Sequence, residues 1–162
     1  MEPTLKDLAT VKRGTEHLRR VDSVLRSIIN SVGPVRLEFE GDHFHALVVS
    51  IIFQQIAGRA ADAIYRRFIA LFPNSTPEPE TLLRTPDEAI PAMGISPQKT
   101  VYLKDLTGRV VDGRLNFHQL TKLPDEEVTR ILDEVRGIGR WTAQMFLIFN
   151  LGRTDVLRSK TP

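Results

Sequence analysis

The sequence predicts an all-α protein. Apolar residues recur at the three- and four-residue spacing of helices along most of the chain, and no sustained stretch alternates apolar and polar residues as a half-buried strand does. Glycine and proline separate these periodic stretches, which is typical of helices joined by tight turns. A chain of 162 residues, 41% of them hydrophobic, is long enough for one domain or for two small lobes.

Two helices are predicted in the first third of the chain. The first ends before Gly33-Pro34 and has a single apolar face, formed by Leu18, Val21, Leu25, Ile28 and Ile29. The second runs from about His43 to Ile56, with Asp42 as its N-cap. Because this second helix is apolar on nearly all sides, we expect it at the centre of the core.

The middle of the chain is predicted to hold two further helices. One follows a break at Ala57-Gly58, stops at Pro73 and carries the apolar residues Ala61, Ile64, Tyr65, Phe68 and Leu71. Residues 74–79 are predicted to be a loop. Thr85-Pro86-Asp87-Glu88 combines a capping box with proline at the first helical position, so it predicts the start of a short helix that Gly94 ends.

Three helices are predicted in the last part of the chain. Ser96-Pro97 is placed to begin the first, which continues through Tyr102. The second is an amphipathic stretch from Asp125 to Val135, and the third runs from about Arg140 to Asn150. The last two are separated by Gly137-Ile138-Gly139.

Composition excludes several classes of site. The chain has no cysteine, so disulfides, thiolate nucleophiles and cysteine-ligated metals are excluded. His43 and His45 are two residues apart and would face different sides of a helix, so we expect no metal site built from side chains. The longest apolar run is too short to span a bilayer and the N-terminus has no signal-peptide pattern, which predicts a soluble intracellular protein. With a net charge of only +2, nucleic-acid binding requires a local site.

The stretch from Val135 to Ala143 is such a candidate. Two glycines flank Ile138 between two helices; glycine permits positive φ and close approach of another backbone, and the isoleucine can pack under the turn. Exposed amides at the start of the second helix, aided by its dipole, favour an anion such as a DNA phosphate. The predicted phosphate-binding residues are Gly137, Ile138, Gly139, Arg140 and Thr142. The alternative is a tight turn with a purely structural role.

Three segments carry a resemblance to a known family. They are Phe53-Gln54-Gln55-Ile56, the stretch from Gly94 to Lys99, and the hairpin Gly137-Ile138-Gly139-Arg140-Trp141-Thr142-Ala143. In this order they resemble the helix-hairpin-helix DNA glycosylase superfamily, specifically its 3-methyladenine DNA glycosylase II branch, with the matched core at about residues 43–157. The resemblance implies that family's all-α fold. It also implies base excision repair of duplex DNA, by hydrolysis of the N-glycosidic bond of alkylated purines such as 3-methyladenine.

The resemblance also implies which side chain fills the gap left when a base is taken out of the duplex. In the family a residue at the turn after the buried helix wedges into the stack, and that position matches Gln55, with Gln54 beside it. The alternative is that the two glutamines cap the end of a helix.

The only tryptophan indicates the type of chemistry. Bifunctional members of the superfamily have a lysine at the position of Trp141, which forms a Schiff base; an indole cannot, so the resemblance implies a monofunctional enzyme that uses water. Trp141 would stack on a cationic methylated base, and Tyr102 and Phe44 are the other predicted pocket aromatics. The alternative is a core tryptophan beside the hairpin.

The resemblance further implies an ion but no required cofactor. The family hairpin commonly holds a monovalent cation, Na⁺ or K⁺, through backbone carbonyls. Carried over by position, these are the carbonyls of Asp133, Val135 and Ile138.

The resemblance breaks at the position of the family's catalytic aspartate, which falls on Thr161. Threonine cannot stabilise a developing cation as a carboxylate does. The nearest carboxylate, Asp155, matches a different family position. Residues 157–162 diverge from the family pattern, and the family's further C-terminal helices do not follow. We therefore interpret residues 1–162 as a single incomplete domain, and a frameshift, premature stop or truncation is the hypothesis for its tail.

Three functions remain open on the sequence. The first is an alkylated-base glycosylase, and the second is a non-catalytic helix-hairpin-helix module that binds or senses lesions without releasing a base. The third is an unrelated helical interaction protein, which would show no salt-dependent affinity for DNA.

Overall fold

Helices make up most of the computed structural model, which describes residues 4–37, 39, 41–56 and 58–156. Within these ranges there is no β-strand, and the all-α prediction is confirmed. The helices are α1 (Leu8–Val21), α2 (Ser23–Val32), α3 (His43–Phe53), α4 (Arg59–Ile69), α5 (Pro79–Arg84), α6 (Ala89–Ala92), α7 (Pro97–Val111), α8 (Phe117–Leu120), α9 (Asp125–Asp133) and α10 (Arg140–Phe149). A short 3-10 turn, Pro73–Ser75, follows α4.

The chain divides into two compact units, and the first joins its N-terminal stretch, up to Gly41, with the stretch from Leu147 onward. Here α1 packs against α2. The Thr4 hydroxyl donates to the carbonyl of Gly152 at 2.8 Å, and the backbone N–H of Leu5 donates to the same carbonyl at 2.7 Å. These two bonds tie the beginning of the described chain to its end.

The prediction of one continuous helix through residues 18–29 is wrong, because the chain breaks at Asp22. The Asp22 carboxylate accepts hydrogen bonds from the backbone N–H groups of Val24 and Leu25 and so caps a new helix, α2. An aspartate favours this capping geometry over a place inside a helix, since its short side chain competes for nearby backbone donors. The predicted end before Gly33 is confirmed.

The second unit, Asp42–Phe146, has α3 at its core. The buried residues of α3 lie on several sides of the helix, as predicted from its composition; they are Phe44, Leu47, Val48, Ile51 and Ile52. The predicted cap is also confirmed, because the Asp42 carboxylate accepts from the N–H of His45 at 2.9 Å. The helix ends at Phe53 rather than Ile56, since Gln54 leaves the helical region with a ψ of 129° and Gln55 has a positive φ of 57°.

The predicted capping box at residues 85–88 is wrong. The Thr85 hydroxyl donates backwards to the carbonyl of Thr81, at the end of the unpredicted helix α5, and α6 begins only at Ala89 with no side-chain cap. The threonine therefore ends one helix instead of starting the next. By contrast, the start predicted at Ser96-Pro97 is confirmed, with the Ser96 hydroxyl accepting from the N–H of Lys99.

Within the described ranges, no helix is long and apolar enough to cross a membrane. The same ranges contain no cluster of histidine and carboxylate side chains suited to hold a metal ion. The ring of His43 instead lies 5.8 Å from each of the aromatic rings of Phe117 and Phe146.

Candidate nucleic-acid interface

The hairpin between α9 and α10 is held together by its own backbone. The N–H of Val135 donates to the carbonyl of Leu132, and the N–H of Ile138 donates to the carbonyl of Val135, each at 3.0 Å. Ile138 is buried beneath the turn, as its sequence position predicted. Backbone hydrogen bonds therefore close the turn, and the buried Ile138 side chain packs it against the protein.

The two glycines of the hairpin have different geometries. Gly137 has a φ of +81°, and a Cβ built on it would lie 2.1 to 2.6 Å from ring atoms of Tyr102, so only glycine fits there. Gly139 is not among the described glycines with positive φ, and a Cβ on it would meet nothing within 4 Å. From the sequence, both glycines were expected to permit positive φ and close approach of other atoms. The structure has both features at Gly137 and neither at Gly139.

The first amides of α10 lie outside the regular hydrogen bonding of that helix. The first bond inside the helix runs from the N–H of Ala143 to the carbonyl of Gly139, so the amides of residues 140–142 precede the regular ladder. Arg140 and Trp141 are exposed beside them, whereas the side chain of Thr142 is buried. Trp141 is 69% exposed, which excludes the alternative of a core tryptophan.

The turn after α3 separates the two glutamines. Gln55 is exposed and holds a left-handed backbone, with φ of 57°. Gln54 is half-buried, and its side-chain amide donates to the carbonyl of Gly137 at 2.7 Å. Gln54 thus links this turn to the hairpin, and Gln55 is left as the outward-facing side chain.

Lys99, on α7, supports the same turn from within the protein. Its ammonium group donates to the carbonyl of Ile52 at 2.7 Å and to the carbonyl of Gln54 at 2.6 Å. Burial lowers the pKa of Lys99 from its ordinary value. The sequence gave no signal for these contacts, because they join residues 45 and 47 positions apart.

A second contact from α7 holds the hairpin. The Asp105 carboxylate accepts from the backbone N–H of Arg136 at 2.9 Å and from the guanidinium of Arg109 at 3.0 Å. Arg109 also lies 3.7 Å from a carboxylate oxygen of Glu134. The turn after α3 and the hairpin are therefore both bonded to one helix.

The structure places the three predicted pocket aromatics differently. Trp141 is at the surface, Tyr102 is half-buried under Gly137, and Phe44 is only 5% exposed, inside the core of its unit. Phe44 is thus placed to shape the core rather than to contact a ligand directly. Position 161, matched to the family's catalytic aspartate, lies outside the described residues, and Asp155 lies in the other unit, with a positive φ of 63°.

Comparison with known proteins gives consistent results. Residues 48–149 match the family described as HhH-GPD superfamily base excision DNA repair protein. The sequence is 32% identical over 146 residues to DNA-3-methyladenine glycosylase 1 of Schizosaccharomyces pombe, an alignment that covers 87% of this chain but 64% of that protein.

Solved structures show the same likeness. A DNA-3-methyladenine glycosidase from Bacillus halodurans superposes with a TM-score of 0.75 at 40% identity, over 84% of this chain and 63% of its own. The 3-methyladenine DNA glycosylase of Schizosaccharomyces pombe, solved in complex with abasic DNA, gives a TM-score of 0.80 at 30% identity, over 88% of this chain and 72% of its own. This chain spans roughly two thirds of the length of these relatives.

Proposed function

The chain belongs to the HhH-GPD superfamily of base excision DNA repair proteins, and from this membership we propose that it recognises alkylated bases in duplex DNA and serves their release by hydrolysis of the N-glycosidic bond. The names of its relatives, DNA-3-methyladenine glycosylases, support alkylated purines as the lesion. Such a protein would act where the DNA is, in the nucleoid or the nucleus.

One observation carries this proposal: the bond from the Gln54 side chain to the carbonyl of Gly137. It fixes the exposed Gln55 relative to the amides at the start of α10. A protein that extrudes a base must hold the backbone and fill the vacated stack at the same time. A phosphate site at the start of α10 and a wedge at Gln55 would keep a nearly constant separation through this bond, which supports the proposal.

Each part of the site has a proposed role. The amides of residues 140–142 and the Arg140 guanidinium bind phosphate, while the open space at Gly139 lets the duplex approach. Gln55 fills the gap in the stack, and the exposed indole of Trp141 stacks on the cationic base. Because an indole cannot form a Schiff base, the reaction proposed is hydrolysis without strand cleavage.

A monovalent cation at the hairpin is also part of this proposal. The carbonyls assigned to it by resemblance are those of Asp133, at the end of α9, and of Val135 and Ile138, in the hairpin. The Val135 carbonyl accepts one hydrogen bond, from the N–H of Ile138, and a carbonyl oxygen has a second lone pair that a Na⁺ or K⁺ ion could use. When bound, the ion would add positive charge beside the phosphate site.

A second candidate is a non-catalytic module that senses lesions. The observation that favours it is threonine at position 161, where the resemblance expects the catalytic carboxylate. This module would bind damaged duplexes without releasing a base.

The test is single-turnover release of 3-methyladenine from alkylated duplex DNA by the 162-residue chain, paired with its affinity for a duplex that contains a stable abasic-site analogue. We expect salt-dependent binding that favours the abasic duplex. Base release in addition identifies a glycosylase, and lesion-selective binding without release identifies the sensing module. Equal affinity for abasic and intact duplexes would contradict both.

A further inference from the structure

We propose that Lys99 is a positioning residue, whose ammonium group holds the turn after α3 in the conformation that presents Gln55 to the duplex. This inference rests on the proposed function and adds to it a residue that does not touch the DNA. It is carried by the two hydrogen bonds from Lys99 to the carbonyls of Ile52 and Gln54.

The turn needs such support because of its backbone. The last carbonyls of a helix have no partner within it, and they are commonly satisfied by a glycine that turns the chain. Here the left-handed position is held by Gln55, a residue with a side chain, for which this conformation is unfavourable. Lys99 supplies the missing partners from a different helix, so a strained turn is maintained by a tertiary contact.

The charge of Lys99 suits this position. A cation at the C-terminal end of a helix interacts favourably with the helix dipole, and hydrogen bonds from a charged donor are stronger than neutral ones. Partial burial lowers the pKa of the ammonium group, whereas the two bonds to carbonyl oxygens, at 2.7 and 2.6 Å, favour its charged form. Since these bonds point into the protein, Lys99 acts through the turn and not as a phosphate ligand.

The chain offers a matched control on the same helix. Lys104 donates to the carbonyls of Leu83 and Thr85, near the end of α5, and so satisfies the end of a different helix. Lys104→Met removes the same kind of two-carbonyl contact as Lys99→Met, together with an ion pair to the exposed Asp87 at 3.2 Å, but on a turn other than the one that carries Gln55. A merely structural role predicts the same outcome for both variants.

The experiment measures the ratio of the dissociation constants for intact duplex and for the same duplex with an abasic-site analogue. Partial unfolding lowers both affinities in proportion and leaves the ratio unchanged. We expect Lys99→Met and Gln55→Ala each to reduce the ratio about tenfold, and Lys104→Met to leave it at the wild-type value. In the Gln55→Ala background, Lys99→Met should have no further effect on the ratio, because both changes remove one function.

The outcomes separate this inference from the proposed function. A wild-type protein without preference for the abasic duplex contradicts the proposed function, and this inference with it. If the wild type has the preference and Gln55→Ala loses it, but Lys99→Met keeps it, only the role of Lys99 is overturned. The role is also overturned if Lys99→Met and Gln55→Ala reduce the ratio by independent factors, or if Lys104→Met reduces it equally.

Discussion

Two glycines separated by one residue have distinct physical roles in the hairpin. Gly137 is required inside the protein, because its positive φ and the adjacent Tyr102 ring leave no room for a side chain. Gly139 has no such constraint, since open space surrounds the position of its missing Cβ. The fold therefore requires glycine at 137 but does not require it at 139, where the proposed contact with DNA is the remaining reason for a glycine.

Gly137→Ala and Gly139→Ala should consequently differ in stability. We expect Gly137→Ala to lower the free energy of unfolding by about 3 kcal/mol, because a methyl group must displace the Tyr102 ring at an unfavourable φ. Gly139→Ala should change stability much less but weaken binding to intact duplex. Urea unfolding and a DNA titration of both variants provide the check, and equal stability losses would contradict the distinction.

On the scale of elements, α7 is the common support of the candidate interface. Lys99, Tyr102 and Asp105 recur every three residues, so they lie on one side of the helix. The first bonds the turn after α3, the second packs against Gly137, and the third accepts from the N–H of Arg136. The start of this helix is set by the Ser96 side chain.

Removing the Ser96 cap should destabilise α7. We expect Ser96→Ala to lower the free energy of unfolding by about 1 kcal/mol, because it leaves a backbone donor of the first turn without its acceptor. Ser96→Asp retains an acceptor at the cap and should keep most of the wild-type stability. Chemical denaturation of the two variants measures this, and a loss of the same size in both would show that the cap bond is unimportant.

Local signals explain which elements were predictable. Ser96-Pro97 and Asp42 start helices through bonds within three residues, so the sequence alone identified them. The Thr85 side chain can bond either to the backbone before it or to the backbone after it. The sequence pattern predicted a bond to the following helix, but its hydroxyl donates to the preceding carbonyl of Thr81. The bond from Lys99 to Gln54 depends on how distant segments pack, and no spacing in the sequence encodes it.

The two compact units differ in how much they bury. Among residues 8–32, which form α1 and α2, none is buried, and several large apolar side chains are exposed: Leu8, Leu18, Val21, Val24, Ile28 and Val32. In the other unit, α3 and α7 each carry several fully buried residues. Resistance to local opening should follow this difference, since it depends on buried apolar contacts.

Amide hydrogen exchange of the whole chain tests this. We expect the amides of α1 and α2 to exchange at least about a hundredfold faster than those of α3 and α7, because little apolar area is lost when the first two helices open. The comparison is internal to one sample, so protein concentration and solvent are matched. Equal protection in α1 and α3 would mean that the first unit has stabilising contacts of another kind.

The three anchors on α7 also bear on the speed of recognition. They hold the turn after α3 and the hairpin in place, so we expect little backbone conformational entropy to be lost if a duplex binds there as proposed. Association should then resemble the docking of rigid bodies, with an on-rate governed by diffusion and charge. Under the proposed function, we therefore expect the slow event in recognition to lie in the DNA, whose damaged base must leave the stack.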